Sequence, residues 1–61
     1  MNINNEDIIQ LIKKKVIVTS SEVAEEFKVS WNTAEKYLLE LVIESKIIKI
    51  KKMGVNLWLI K

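Results

Sequence analysis

Between Thr19 and Val42 the chain reads TSSEVAEEFKVSWNTAEKYLLELV, two apolar stripes at helical spacing separated by the tripeptide Lys28-Val29-Ser30. Val23, Ala24 and Phe27 make the first stripe; Ala34, Leu38, Leu41 and Val42 make the second, with Tyr37 at its edge. Apolar side chains three and four residues apart lie on one face of a helix, and that face has to be covered. A tripeptide leaves room only for a tight turn, so the two helices cover each other in part, with Val29 caught between them. Ala34 is small where two helices must approach closely. Both helix starts are marked. Thr19-Ser20-Ser21-Glu22 matches a capping box, in which hydroxyl and carboxylate each accept from an otherwise free amide. Ser30 is placed to cap the second helix, with Thr33 at its third position.

The flanking sequence supplies the rest of a core. Met1 to Asn5 is a polar lead-in, and Asn4 or Asn5 can cap a helix over residues 5–14. Glu6 and Asp7 suit the positive end of its dipole and Lys13-Lys14-Lys15 the negative end; contact with phosphate is the other reading of that triplet. Ile8, Leu11 and Ile12 give its buried stripe, widened by Ile9. Val16-Ile17-Val18 reads as one short strand over 16–18. Helices follow over 20–27 and 31–44, the last stopping at Ser45-Lys46 where Gly or Asn is more usual. A strand over 47–52, a turn at Met53-Gly54-Val55-Asn56 around the only glycine, and a returning strand over 56–60 complete the chain. The expected fold is α+β, mainly α: three helices, a short strand and a C-terminal β-hairpin in a single domain, residues 1–61.

Composition removes whole classes of function. Histidine and cysteine are both absent, which takes away the commonest general base and the usual transition-metal ligands. No cofactor, metal or small-molecule substrate is expected, and catalysis by paired carboxylates would need a pocket that a domain of 61 residues has little room for. No apolar run reaches the ~18 residues of a membrane span, and the polar N-terminus does not read as a signal, so the expected place is the cytoplasm. Formal net charge is +2, mildly basic, and all ten basic residues are lysines. Without arginine, reading of base edges has to rest on Lys, Asn, Thr or DNA shape.

Residues 19 to 52 resemble the core of the winged helix-turn-helix superfamily of transcription regulators. The residues that carry the resemblance are Val23-Ala24 in the first helix of the pair, the Val29-Ser30 turn, Thr33-Ala34 and Leu38/Leu41 in the second, and the strand Ile47-Ile48-Lys49-Ile50. Members usually continue with Gly-Leu-Ile after the second helix; this chain has Ser45-Lys46-Ile47. The small size and the Lys-, Ile- and Glu-rich usage are similar to those of archaeal or archaeal-virus regulators, and an AT-rich genome gives the same usage.

The resemblance implies sequence-specific binding of double-stranded DNA, with the start of the helix at Trp31 in the major groove. There stand Ser30, Trp31, Asn32, Thr33, Glu35 and Lys36. Asn32 can read adenine, Thr33 a base edge or a thymine methyl, and Lys36 a phosphate or a guanine edge. First-turn capping accounts for Asn32 and Thr33 equally well. Trp31 either covers the edge of the core or stands exposed to stack on sugar or base. On the hairpin, the wing of such domains, Lys49, Lys51, Lys52 and Asn56 are candidates for backbone or minor-groove contacts; charged gatekeepers on an exposed strand edge are the other reading. Trp58 is expected to pack the hairpin onto the third helix. Glu22, Glu25 and Glu26 face outward and would repel a nearby phosphate backbone.

Leu39 and Ile43 lie off the buried stripe, one turn apart, and with Ile9 they form a candidate partner patch. A homodimer through the first helix, the far end of the third or the hairpin would present two reading helices to a pseudo-palindromic site. The competing function is a protein–protein interaction module in a larger assembly, which the outward glutamates and the low net charge fit.

Overall fold

In a computed structural model, which describes residues 3–61, the chain forms α1 (Asn5–Lys15), β1 (Ile17–Thr19), α2 (Ser20–Phe27), α3 (Trp31–Ile43), β2 (Ile47–Lys52) and β3 (Val55–Ile60). The first two positions of the polar lead-in lie outside the described residues. The strands make one antiparallel sheet in the order β1-β3-β2, so the last strand runs up the middle. The chain is a small α+β protein, mostly helical. No helix among the described residues is long and apolar enough to cross a membrane.

The caps fall where side-chain chemistry dictates. Asn4 accepts from the Glu6 amide at 2.9 Å and starts α1. Thr19 and Glu22 form the full capping box of α2, at 3.1 and 2.9 Å. Ser30 Oγ accepts from the Thr33 amide at 3.2 Å and starts α3. The C-terminal ends are less orthodox. Lys28 (φ 56°) and Ser45 (φ 62°) both take the left-handed conformation that glycine adopts at no steric expense. At the end of α3 the Lys46 amide donates to Leu41 and the Ser45 amide to Val42, at 3.0 and 2.9 Å, which is the Schellman closure. The glycine missing from the sequence is therefore replaced in role by Ser45.

Three expectations about local structure change. The first strand begins at Ile17, because Val16 (φ 74°, ψ −48°) turns sharply off the end of α1 and lies outside it. The hairpin turn is two residues, Met53 and Gly54, both at positive φ, so Val55 and Asn56 belong to β3. Two positive-φ residues in a row match the twist of the strands they join. Ile3, placed by the sequence in a polar lead-in, is buried with the core.

Register assigns each strand residue to a face. Val18, Trp58, Ile47 and Ile60 share the face covered by the helices, with Lys49 opposite Trp58 and Lys51 opposite Asn56. Ile17, Leu59 and Ile48 form a row on the other face, Thr19, Leu57 and Ile50 a second, and Val55 with Lys52 a third. The core lies between helices and sheet: Ile3, Ile8, Leu11, Ile12, Val18, Val23, Ala34, Leu38, Leu41, Ile47 and Trp58.

Candidate nucleic-acid interface

The leading end of α3 stands clear of the rest of the chain. Trp31, Asn32 and Lys36 are exposed, and Trp31 keeps 50% of its surface. Trp31 therefore does not close the edge of the core. It lines a cleft of about 390 Å³ whose other walls are the first turn of α2 and the hairpin residues Lys51 and Asn56. The structure thus gathers three separate sequence segments, α2's start, α3's start and the hairpin tip, around one opening.

Several expected contact residues have other duties. The Ser30 hydroxyl accepts from the Thr33 amide and donates to Thr33 Oγ1 at 2.9 Å, so Ser30 is committed to the cap and Thr33 retains its own proton and one lone pair. Glu35 does not point outward with Asn32 and Lys36. It is half-buried and accepts from the Ser20 hydroxyl and from Asn56 Nδ2, the latter at 3.2 Å. Asn56 is correspondingly held against Glu35 rather than free on the hairpin. Ser20 is the buried polar residue of the core, and it also accepts from the indole Nε1 of Trp58 at 2.9 Å.

The result is a chain of donors and acceptors, Trp58 to Ser20 to Glu35 Oε2, where Asn56 Nδ2 also donates, that ties β3, α2 and α3 together. Sequence reasoning had Trp58 packing on the third helix; its polar end reaches α2 instead. A buried tryptophan N–H needs an acceptor, and that requirement was the signal in the sequence that pointed to such a partner.

The cations divide by face. Lys49 and Lys51 stand on the helix side of the sheet, with Lys49 Nζ 6.0 Å from the centroid of the Trp58 ring. Lys52 pairs with Val55 and points to the opposite side, away from α3. Among the described residues the one ion pair is Lys46 with Glu44 at 3.8 Å, which leaves Lys36, Lys49 and Lys51 unpaired. Glu22, Glu25 and Glu26 are exposed on α2, as the sequence placed them. Of the partner patch, Leu39 and Ile43 are exposed, Ile43 at 81%, whereas Ile9 is half-buried and packs against the core. No group of side chains among the described residues could hold a metal ion.

By architecture this is a small α+β protein with its helices on one face of a three-stranded antiparallel sheet and an exposed, polar helix start beside a lysine-bearing hairpin. Residues 1–57 match the family described as "Bacterial protein of unknown function (DUF977)", and the chain belongs to that family. Comparison with curated proteins returns no match, and comparison with solved structures returns none.

Proposed function

We propose that the protein is a winged helix-turn-helix regulator of transcription that binds double-stranded DNA in the cytoplasm. The observation that carries this reading is the free leading end of α3: Asn32 and Lys36 are uncovered, and Trp31 faces a cleft shared with Lys51. The α2–turn–α3 pair and a hairpin whose second strand is central to the sheet suit that architecture. Asn32 reads a base edge in the major groove, Trp31 packs on sugar or base, and Lys36, Lys49 and Lys51 engage phosphates. Ser30 and Thr33 hold the helix start, and Lys52 and Asn56 leave the contact set because of where they point.

Three phosphate contacts at ~0.9 counterion each give a slope of log K against log salt near −2.7. Fluorescence anisotropy with labelled duplex across a salt series measures it. Lys36→Glu with Asn32→Ala abolishes binding under this reading. A slope near zero, or no binding at micromolar protein, refutes it.

The second reading, a protein-interaction module, is favoured by the exposed Leu39 and Ile43 and by the acidic outer face of α2. Leu39→Glu distinguishes the two: it leaves duplex binding intact and breaks a protein contact through that end of α3.

A further inference from the structure

The sheet face turned away from the helices is aliphatic from edge to edge. Ile17, Ile48, Ile50 and Val55 are 42%, 38%, 43% and 47% exposed, and Leu57 and Leu59 lie half-buried between them on the central strand. No element of the described chain covers this face. We propose that it is the contact surface of a homodimer, in which two copies pack sheet to sheet.

A second copy is the occupant that the surface chemistry selects. The chain is basic overall, yet Lys49 and Lys51 point to the helix side. The single charge on the apolar face is Lys52, at the hairpin corner, where it reaches solvent at the rim of such a contact. Two like-charged molecules therefore meet through a surface with almost no charge to repel. A partner recognised by charge finds nothing there to read. Two copies related by a two-fold axis would bring the same rows, Ile17–Leu59–Ile48 and Thr19–Leu57–Ile50, against each other in an isologous contact. Sheets stacked in this way sit ~10 Å apart with their inner side chains interdigitated.

Area sets the strength. Three strands at ~4.8 Å spacing and six residues at ~3.3 Å rise give a face of roughly 300 Å² in projection. Val16 extends it at the β1 end, where it lines a shallow depression with Leu59 and with Ile12, Ile60 and Lys13 from the helix side, so a second cation stands at the rim there. Even with that margin the pair buries less than the ~1,200 Å² at the lower end of stable complexes, so the dimer is weak and reversible. The helices lie on the opposite face, so the contact leaves Asn32 and Lys36 open and meets the Trp31 cleft only at its Thr19 and Val55 margin. It also stands independently of what α3 binds.

Sedimentation velocity from about 10 to 500 µM chain tests it. The weight-average mass is expected to rise from 7.1 kDa towards twice that value. Ile48→Lys with Ile50→Lys holds the protein at the monomer mass, its fold checked by far-ultraviolet circular dichroism. Ile48→Thr, which keeps a β-branched residue in the strand, weakens the dimer several-fold should the lysine variant not fold. Ile43→Glu, at the far end of α3, leaves the dimer unchanged. A wild-type protein that stays monomeric, a species larger than a dimer, a dimer untouched by the sheet variants or one dissolved by Ile43→Glu each overturns the proposal.

Discussion

Ser20→Ala isolates the link between hairpin and helices. Ser20 Oγ is the acceptor for the Trp58 indole N–H at 2.9 Å, in a place where Trp58 has no solvent exposure. Alanine removes that acceptor and opens no route for water. A buried donor left unpaired costs about 1–3 kcal/mol. Glu35 also loses the Ser20 hydroxyl, but it is only half-buried and keeps Asn56 at 3.2 Å, so this adds little. Against the loss, alanine is the better helix former by about 0.5 kcal/mol. The net expectation is about 1.5 kcal/mol of destabilisation. A chain of 61 residues has a total stability of only about 3–9 kcal/mol, so the effect is large. It corresponds to a fall in Tm of about 6–12 °C. The assay is urea and thermal unfolding followed by Trp58 emission in a Trp31→Phe background, with far-ultraviolet circular dichroism alongside. Ser21→Ala, one residue on and exposed, is the control and changes stability by less than about 0.5 kcal/mol. If Ser20→Ala falls within that same margin, or if the two variants behave alike, the buried relay does not hold the fold together.

Ser45→Gly and Lys28→Gly are each expected to stabilise by about 0.5–1 kcal/mol, because both residues sit at positive φ in helix-ending turns; a loss of stability in urea unfolding would show the turns to be different. Val16→Gly is expected to gain about 1 kcal/mol by relieving a β-branched residue at φ 74° whose side chain is 73% exposed, again read by urea unfolding. Glu35→Gln is expected to cost under about 1 kcal/mol, since the Asn56 amide can turn its buried, unpartnered Oδ1 towards the new Nε2; Glu35→Leu strands both Ser20 and Asn56 and costs about 2 kcal/mol. Equal losses for those two Glu35 variants would show that the carboxylate's charge, rather than its hydrogen bonds, matters.

Helix positions were legible because their signals are local. A capping box, an apolar stripe and a hydroxyl before Trp31 each act within four residues, and all three helices lie within a residue of where those signals put them. Strand limits were less legible, for reasons that are not local. Val16 has strong strand propensity, but its amide closes the end of α1 by donating to Ile12 at 2.7 Å, and its backbone is turned out of the sheet. The hairpin turn tightened to two residues because Asn56 is needed in the ladder opposite Lys51. Face assignment depends entirely on register: a shift of one residue would put Lys52 beside α3 and Lys51 away from it.

The candidate site was half legible, and Glu35 shows why. On a helix of 3.6 residues per turn each step turns ~100°, so Asn32 and Lys36 both lie 60–100° to the same side of Glu35. Spacing from the buried stripe of Ala34, Leu38 and Leu41 puts Glu35 at the edge of the polar sector and Lys36 on its far side, but does not say which groups meet Glu35. The decision is made by Ser20 and Asn56, 15 and 21 residues away in the chain, which draw the Glu35 carboxylate inward. The buried stripe sets the roll of α3, the Glu35 contacts fasten its edge, and Asn32 and Lys36 are left facing outward. Glu35, which the resemblance grouped with the groove-facing residues, is in the folded chain tied to α2 and the hairpin, while the Asn32 amide and the Lys36 ammonium beside it stand in solvent.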